Sequence, residues 1–81
     1  MDLAYTVHAR DMLTERAIPD SWVARAVESP MCTENHDDGT THYLSEVPER
    51  SGRVLRVVIN AKASPPIVVT VFFDRRLRRQ S

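Results

Sequence analysis

The sequence predicts an α+β fold: two N-terminal helices packed on one face of a four-stranded antiparallel meander sheet, in the order α-α-β-β-β-β. Three observations lead there. The 81 residues, 42% hydrophobic and 27% charged with five prolines and two glycines, have the balance of one small soluble globule. Apolar residues recur at helical spacing only before Pro30. After it they fall into short β-like runs separated by turn residues, and connections this short favour hairpins.

The elements follow in order. Thr6 is a good N-cap, and 7–16 contains no breaker, with Ala9, Met12, Leu13 and Arg16 on one face of a first helix. Pro19, at a first-turn position, and Asp20 open a second helix whose stripe of Trp22, Val23, Ala26 and Val27 ends before Pro30. Strands are expected near 31–36, 41–47, 53–60 and 67–73, divided by turns at 37–39, 48–52 and 61–66.

Period-two alternation sorts the strand residues into faces. With Val47 opposite Arg53, the core row runs Ser45 with Leu55, Tyr43 with Val57 and Thr41 with Ile59, and placing Ile67 opposite Ile59 continues it through Val69 and Val71. The other face then presents His42, Leu44, Glu46, Val54, Arg56, Val58, Thr70 and Phe72. Polar groups on an apolar floor mark a binding surface or a surface awaiting cover.

Composition bounds the setting. A single cysteine, Cys32, forms no internal disulfide, no run approaches the roughly 18 apolar residues of a membrane span, and residues 1–5 lack the basic start of a signal peptide. The expectation is one cytoplasmic domain spanning 1–81, with no membrane partner and a basic C-terminal tail from about residue 74. Charge divides along the chain: three arginines against ten acids through Glu49, then eight bases against Asp74 alone. Halves of −7 and +7 point to a basic surface that meets a polyanion or an acidic partner, unless the two halves simply pair on folding.

Two groups of residues carry possible chemistry. Cys32, Glu34, His36 and His42 raise the question of zinc, but the assumed hairpin sets His42 on the opposite side from the other three, and no CxxC or HExxH spacing is present, so no metal or other cofactor is expected. His42 and Arg56 lie diagonally on adjacent strands, about 7–8 Å apart. A histidine titrating near neutrality can take the proton of a ribose 2′-hydroxyl while a guanidinium holds the phosphate whose charge grows in the transition state. Thr70 and Phe72 on the same face offer a phosphate contact and a stacking surface, and Arg75, Arg76, Arg78 and Arg79 a track for the RNA backbone.

The opening, Tyr5-Thr6-Val7-His8-Ala9-Arg10 through Arg16-Ala17-Ile18, resembles that of a small bacterial family, the domain of unknown function 4258. Trp22-Val23, His42-Tyr43-Leu44 and 69–73 extend the likeness over nearly the whole chain. The resemblance adds His8 and Arg16 as candidate catalytic residues, and the family's element order is similar to that of the compact RelE-like ribonuclease toxins, which an antitoxin blocks. Two departures stand out. Ala17 replaces an expected glycine, so a left-handed turn is not expected there, and Phe72-Phe73 stand where a tyrosine would bring a hydroxyl.

The resulting expectation is a metal-independent endoribonuclease of toxin–antitoxin type that cleaves RNA by 2′-hydroxyl attack. His8 or His42 acts as acid or base, Arg16 and Arg56 stabilise the phosphorane, and the partners are RNA, not DNA alone, and an acidic antitoxin. The rival from another class is a non-catalytic module that uses the same face to bind RNA, a protein or a second copy of itself as a homodimer.

Overall fold

Thr6 begins the first helix and also ties it to the sheet. In the computed structural model, which describes residues 3–78, its hydroxyl accepts a hydrogen bond from Ala9 N at 3.0 Å and donates to the Val69 carbonyl at 2.9 Å. Helix α1 spans Val7–Glu15, and Pro19 caps α2, Asp20–Glu28. Between them the chain turns sharply. Ala17 takes φ +53°, with Ile18 N bonded to Leu13 O at 2.8 Å and Ala17 N to Thr14 O at 3.3 Å. This is a left-handed helix stop with alanine where glycine is the usual occupant, so the expectation against such a turn is corrected. Ile18, buried against Leu13, holds it in place.

The sheet has five strands, not four, and is mixed. Strand β1 is Ala4–Tyr5, β2 Cys32–Asn35, β3 Thr40–Val47, β4 Arg53–Asn60 and β5 Ile67–Arg78, ordered β1-β5-β4-β3-β2. The added strand, two residues long, runs parallel to β5 and pairs with Ile67 and Val68. The other pairs are antiparallel, as the turns predict. The helices cover one face, where Ala9, Leu13, Ile18, Val23, Ala26 and Val27 meet Val47, Leu55, Val57, Ile59, Val68, Val71 and Phe73.

Pairing of β3 with β4 follows the predicted register from Val47↔Arg53 to Thr41↔Ile59. Two irregularities alter β5. Ile59 pairs with Val68 rather than Ile67, while Val58 pairs with Thr70, so Val69 is an extra residue and Val68 fills the core place assigned to Ile67 and Val69. Farther on, Leu55 pairs with Phe73 and Arg53 with Arg78: five steps of β5 against two of β4. The segment 74–77 therefore bulges, and bulges are a common way to re-aim side chains beside a site. The basic tail is thus the end of a paired strand as far as Arg78, while Arg79 lies outside the described residues.

The β2–β3 hairpin corrects the register behind the zinc argument. His36 N bonds to Thr40 O at 2.9 Å and Gly39 takes φ +87°, closing a three-residue loop. Glu34 consequently pairs with His42 and shares its face.

Candidate functional site: a carboxylate, imidazole and guanidinium pocket

Away from the helices, β3, β4 and β5 build a second, smaller buried layer. Leu44, Val54 and Val58 are buried there, so the apolar floor expected to lie open is covered. Above it lies a pocket of about 520 Å³ lined by Glu34, His36, His42, Arg56, Phe72, Arg76 and Leu77. Strand alternation supplies Glu34, His42, Arg56 and Phe72, the residue that closes the β2–β3 hairpin loop is His36, and the β5 bulge supplies Arg76 and Leu77.

Arg56 is the hub. Its guanidinium is buried, with Nε and Nη2 each 2.9 Å from Asp74 Oδ2. Its Nη1 donates to Glu34 Oε1 at 2.9 Å and to His42 Nδ1 at 2.8 Å. Asp74, buried by the bulge, also accepts from Arg76 N at 3.0 Å and from Arg76 Nε and Nη2 at 3.3 Å. Arg76 first, and then Arg56, pull the Asp74 carboxyl down to about 2 against the cost of burial. Such an ion pair, desolvated on both sides, persists because every polar atom in it has a partner.

Hydrogen-bond capacity assigns the protons. Arg56 only donates, so His42 Nδ1 presents its lone pair to it and the neutral ring carries its proton on Nε2. Burial, with His36 and Arg56 close by, lowers the His42 pKa and favours that neutral form. Glu34 is held below the usual carboxylate range by Arg56 and then by His36, so it is ionised and only accepts. His36 Nε2, 3.0 Å from Glu34 Oε1, therefore donates, which leaves Nδ1 as the ring position that can present a lone pair. The two imidazoles stack with centroids 3.7 Å apart and planes 14° from parallel.

Glu34, His36 and His42 carry ligand atoms within 4.8 Å of one another. Stacking works against chelation, because an imidazole lone pair lies in its ring plane and two nearly parallel planes do not converge on one ion. One ring must leave the stack before both nitrogens can reach a metal, and the Arg56 cation 2.9 Å from Glu34 opposes the added charge.

The other sequence-derived candidates are dispersed. His8 Nε2 lies 3.1 Å from Thr70 Oγ1, two strands from His42, about 10 Å by strand spacing. Arg16 caps the far end of α1, where its carbonyl accepts from Arg50 Nη2 at 3.1 Å, and it does not line the pocket. Phe72 lines the pocket and Arg75 is exposed. Sequence reasoning missed Glu34 and His36 as neighbours of His42, and Asp74 as the anchor of Arg56. Asp-Asp-Gly at 37–39 held the signal for the first two: glycine in third place marks a three-residue loop, which reverses the facing of His42.

The family model described as Domain of unknown function (DUF4258) matches residues 5–73. The chain belongs to this family. Glu34, His36, His42 and Arg56 lie inside the DUF4258 match, whereas Asp74 and Arg76 lie just beyond it. Neither the curated proteins nor the solved structures give a significant match. Among the described residues, no helix of this DUF4258 member is long and apolar enough to cross a membrane.

Proposed function

We propose that this protein is a metal-independent endoribonuclease of the toxin–antitoxin type, RelE-like in its use of two helices and a sheet to present a basic site. The observation that carries the reading is the Glu34–His36 pair, seated beside His42 and two arginines in a pocket wide enough for a nucleotide. His36 Nδ1 takes the proton of a ribose 2′-hydroxyl, and Glu34 orients the ring and stabilises the imidazolium that forms. The 2′-oxygen attacks phosphorus and the bond to the 5′-oxygen breaks. The proton held by His36 passes to that leaving oxygen, giving a 2′,3′-cyclic phosphate and a 5′-hydroxyl. His42 donates from Nε2 to a non-bridging oxygen, and Arg76, its side chain 82% exposed, swings onto the phosphorane. Arg56, with all three nitrogens engaged, is a positioning residue. Phe72 stacks a base.

The basic end of β5 then serves RNA and, in the resting cell, an acidic antitoxin in the cytoplasm. In chelator-containing buffer, His36→Ala slows single-turnover cleavage by about 10²–10⁴-fold. Glu34→Gln moves the rate–pH profile as the base loses its carboxylate, and Arg76→Gln lowers the rate with little change in binding. Equal rates for wild type and His36→Ala would refute the assignment. Salt-sensitive RNA binding without any cleavage would favour the non-catalytic module.

A further inference from the structure

Arg50 and Arg53 converge on one aromatic ring at the opposite side of the sheet from the pocket. The Arg50 Cζ lies 5.6 Å and the Arg53 Cζ 5.1 Å from the Phe73 centroid, and Arg50 also lies 5.3 Å from the Trp22 ring. Arg50 is fixed in place, since its Nη2 donates to the carbonyls of Arg16 and Ala17, both at 3.1 Å. Those bonds tie the backbone at the C-cap of α1 to the same corner. In the sheet, the backbone of Arg53, at the start of β4, pairs with that of Arg78 at the end of β5. Among the described residues, none of the ion pairs includes Arg16, Arg50 or Arg53. Among the described residues, Arg50 and Arg53 therefore meet over an aromatic ring with no carboxylate in ion-pair contact.

We propose that Arg50 and Arg53 form a second phosphodiester seat, which holds the backbone of a single-stranded RNA whose neighbouring segment enters the pocket. Backed by the Phe73 ring, the planar Arg53 guanidinium can grip phosphate oxygens in a fork, and Arg50, its Nη2 taken up by two carbonyls, adds its charge beside it. The chain that links the two sites is short: Arg78, in register with Arg53, is two residues from Arg76 at the pocket rim, at most about 7 Å of backbone. The proposal rests on the RNA part of the reading above and not on cleavage.

The test measures fluorescence anisotropy of a labelled, 2′-O-methylated RNA of about 12 nucleotides, which cannot attack its own phosphates, across a salt series. Arg53→Gln, a change at an exposed side chain, is expected to weaken binding roughly five- to tenfold and to flatten the slope of log K against log salt by about 0.7. Arg53→Lys restores the slope and only part of the affinity. Arg50→Gln, with its melting temperature recorded as a control for the lost carbonyl contacts, weakens binding in the same direction. An unchanged slope and affinity in Arg53→Gln, or no binding by the wild type, would overturn the proposal. Arg53-dependent binding of the methylated strand while unmodified RNA stays intact would leave the seat standing and remove the nuclease. Cleavage with unaltered Arg53→Gln binding would do the reverse.

Discussion

The two faces of this sheet are made by the same three strands and solve opposite problems. Facing the helices, alternate residues of β3, β4 and β5 contribute Val47, Leu55, Val57, Val71 and Phe73 to a hydrocarbon core. The intervening residues contribute His42, Arg56 and Phe72 to a pocket built around a buried ion pair. One face lowers free energy by removing apolar surface from water. The other spends part of that gain to hold charged groups in one geometry, which is the usual signature of a site rather than of a scaffold.

The comparison breaks most visibly at Asp74. Replacing it with alanine strands the Arg56 guanidinium in a desolvated position and is expected to cost about 3–5 kcal/mol, read by urea unfolding. The double variant Arg56→Met, Asp74→Leu removes both charges and should recover most of that loss. Recovery marks the pair as present for geometry; failure to recover marks it as a net stabiliser. Because the folded carboxyl titrates near 2, below its ordinary 3.8, its contribution persists down to about pH 4 and is lost as pH falls from there toward 2. On the helix face, Leu55→Ala opens a cavity beneath α2 and costs about 3 kcal/mol, without the acid dependence seen at Asp74.

Smaller effects sharpen the contrast. Ala17→Gly relieves a left-handed alanine at the α1 stop and should stabilise the fold by about 1 kcal/mol while leaving the pocket unaltered. The smallest effect belongs to His42. Its folded pKa lies below the ordinary 6.5, so the unfolded chain binds more protons in that interval and stability declines as pH drops through 6.5. His42→Gln should remove that decline, measured as melting temperature between pH 7.5 and 5.5.

Much of the fold was legible because its signals are local. Thr6 as cap, Pro19 at the start of α2 and the alternation along β3 and β4 each specify structure within a few residues. Strand β1 escaped because two residues carry no period, and its place is set by Pro66 and Val68, at the start of β5 more than sixty positions away. The site was half legible. The β3–β4 register brought His42 to Arg56, but their other partners depend on how many residues a turn or bulge contains. One residue in the 37–39 loop decides whether Glu34 faces His42, and the extra residues of β5 carry Asp74 beneath Arg56. Composition reports neither number.

The central claim, that the Glu34–His36 pair and its neighbours perform transesterification of RNA without a metal, has a direct test in the chemistry of the cut ends. Purified protein, freed of any bound partner, is incubated with a defined RNA in excess chelator, and the fragments are analysed by mass spectrometry. The account predicts 2′,3′-cyclic phosphate and 5′-hydroxyl termini, absent with His36→Ala. Intact RNA, or fragments bearing 5′-phosphates, would contradict it.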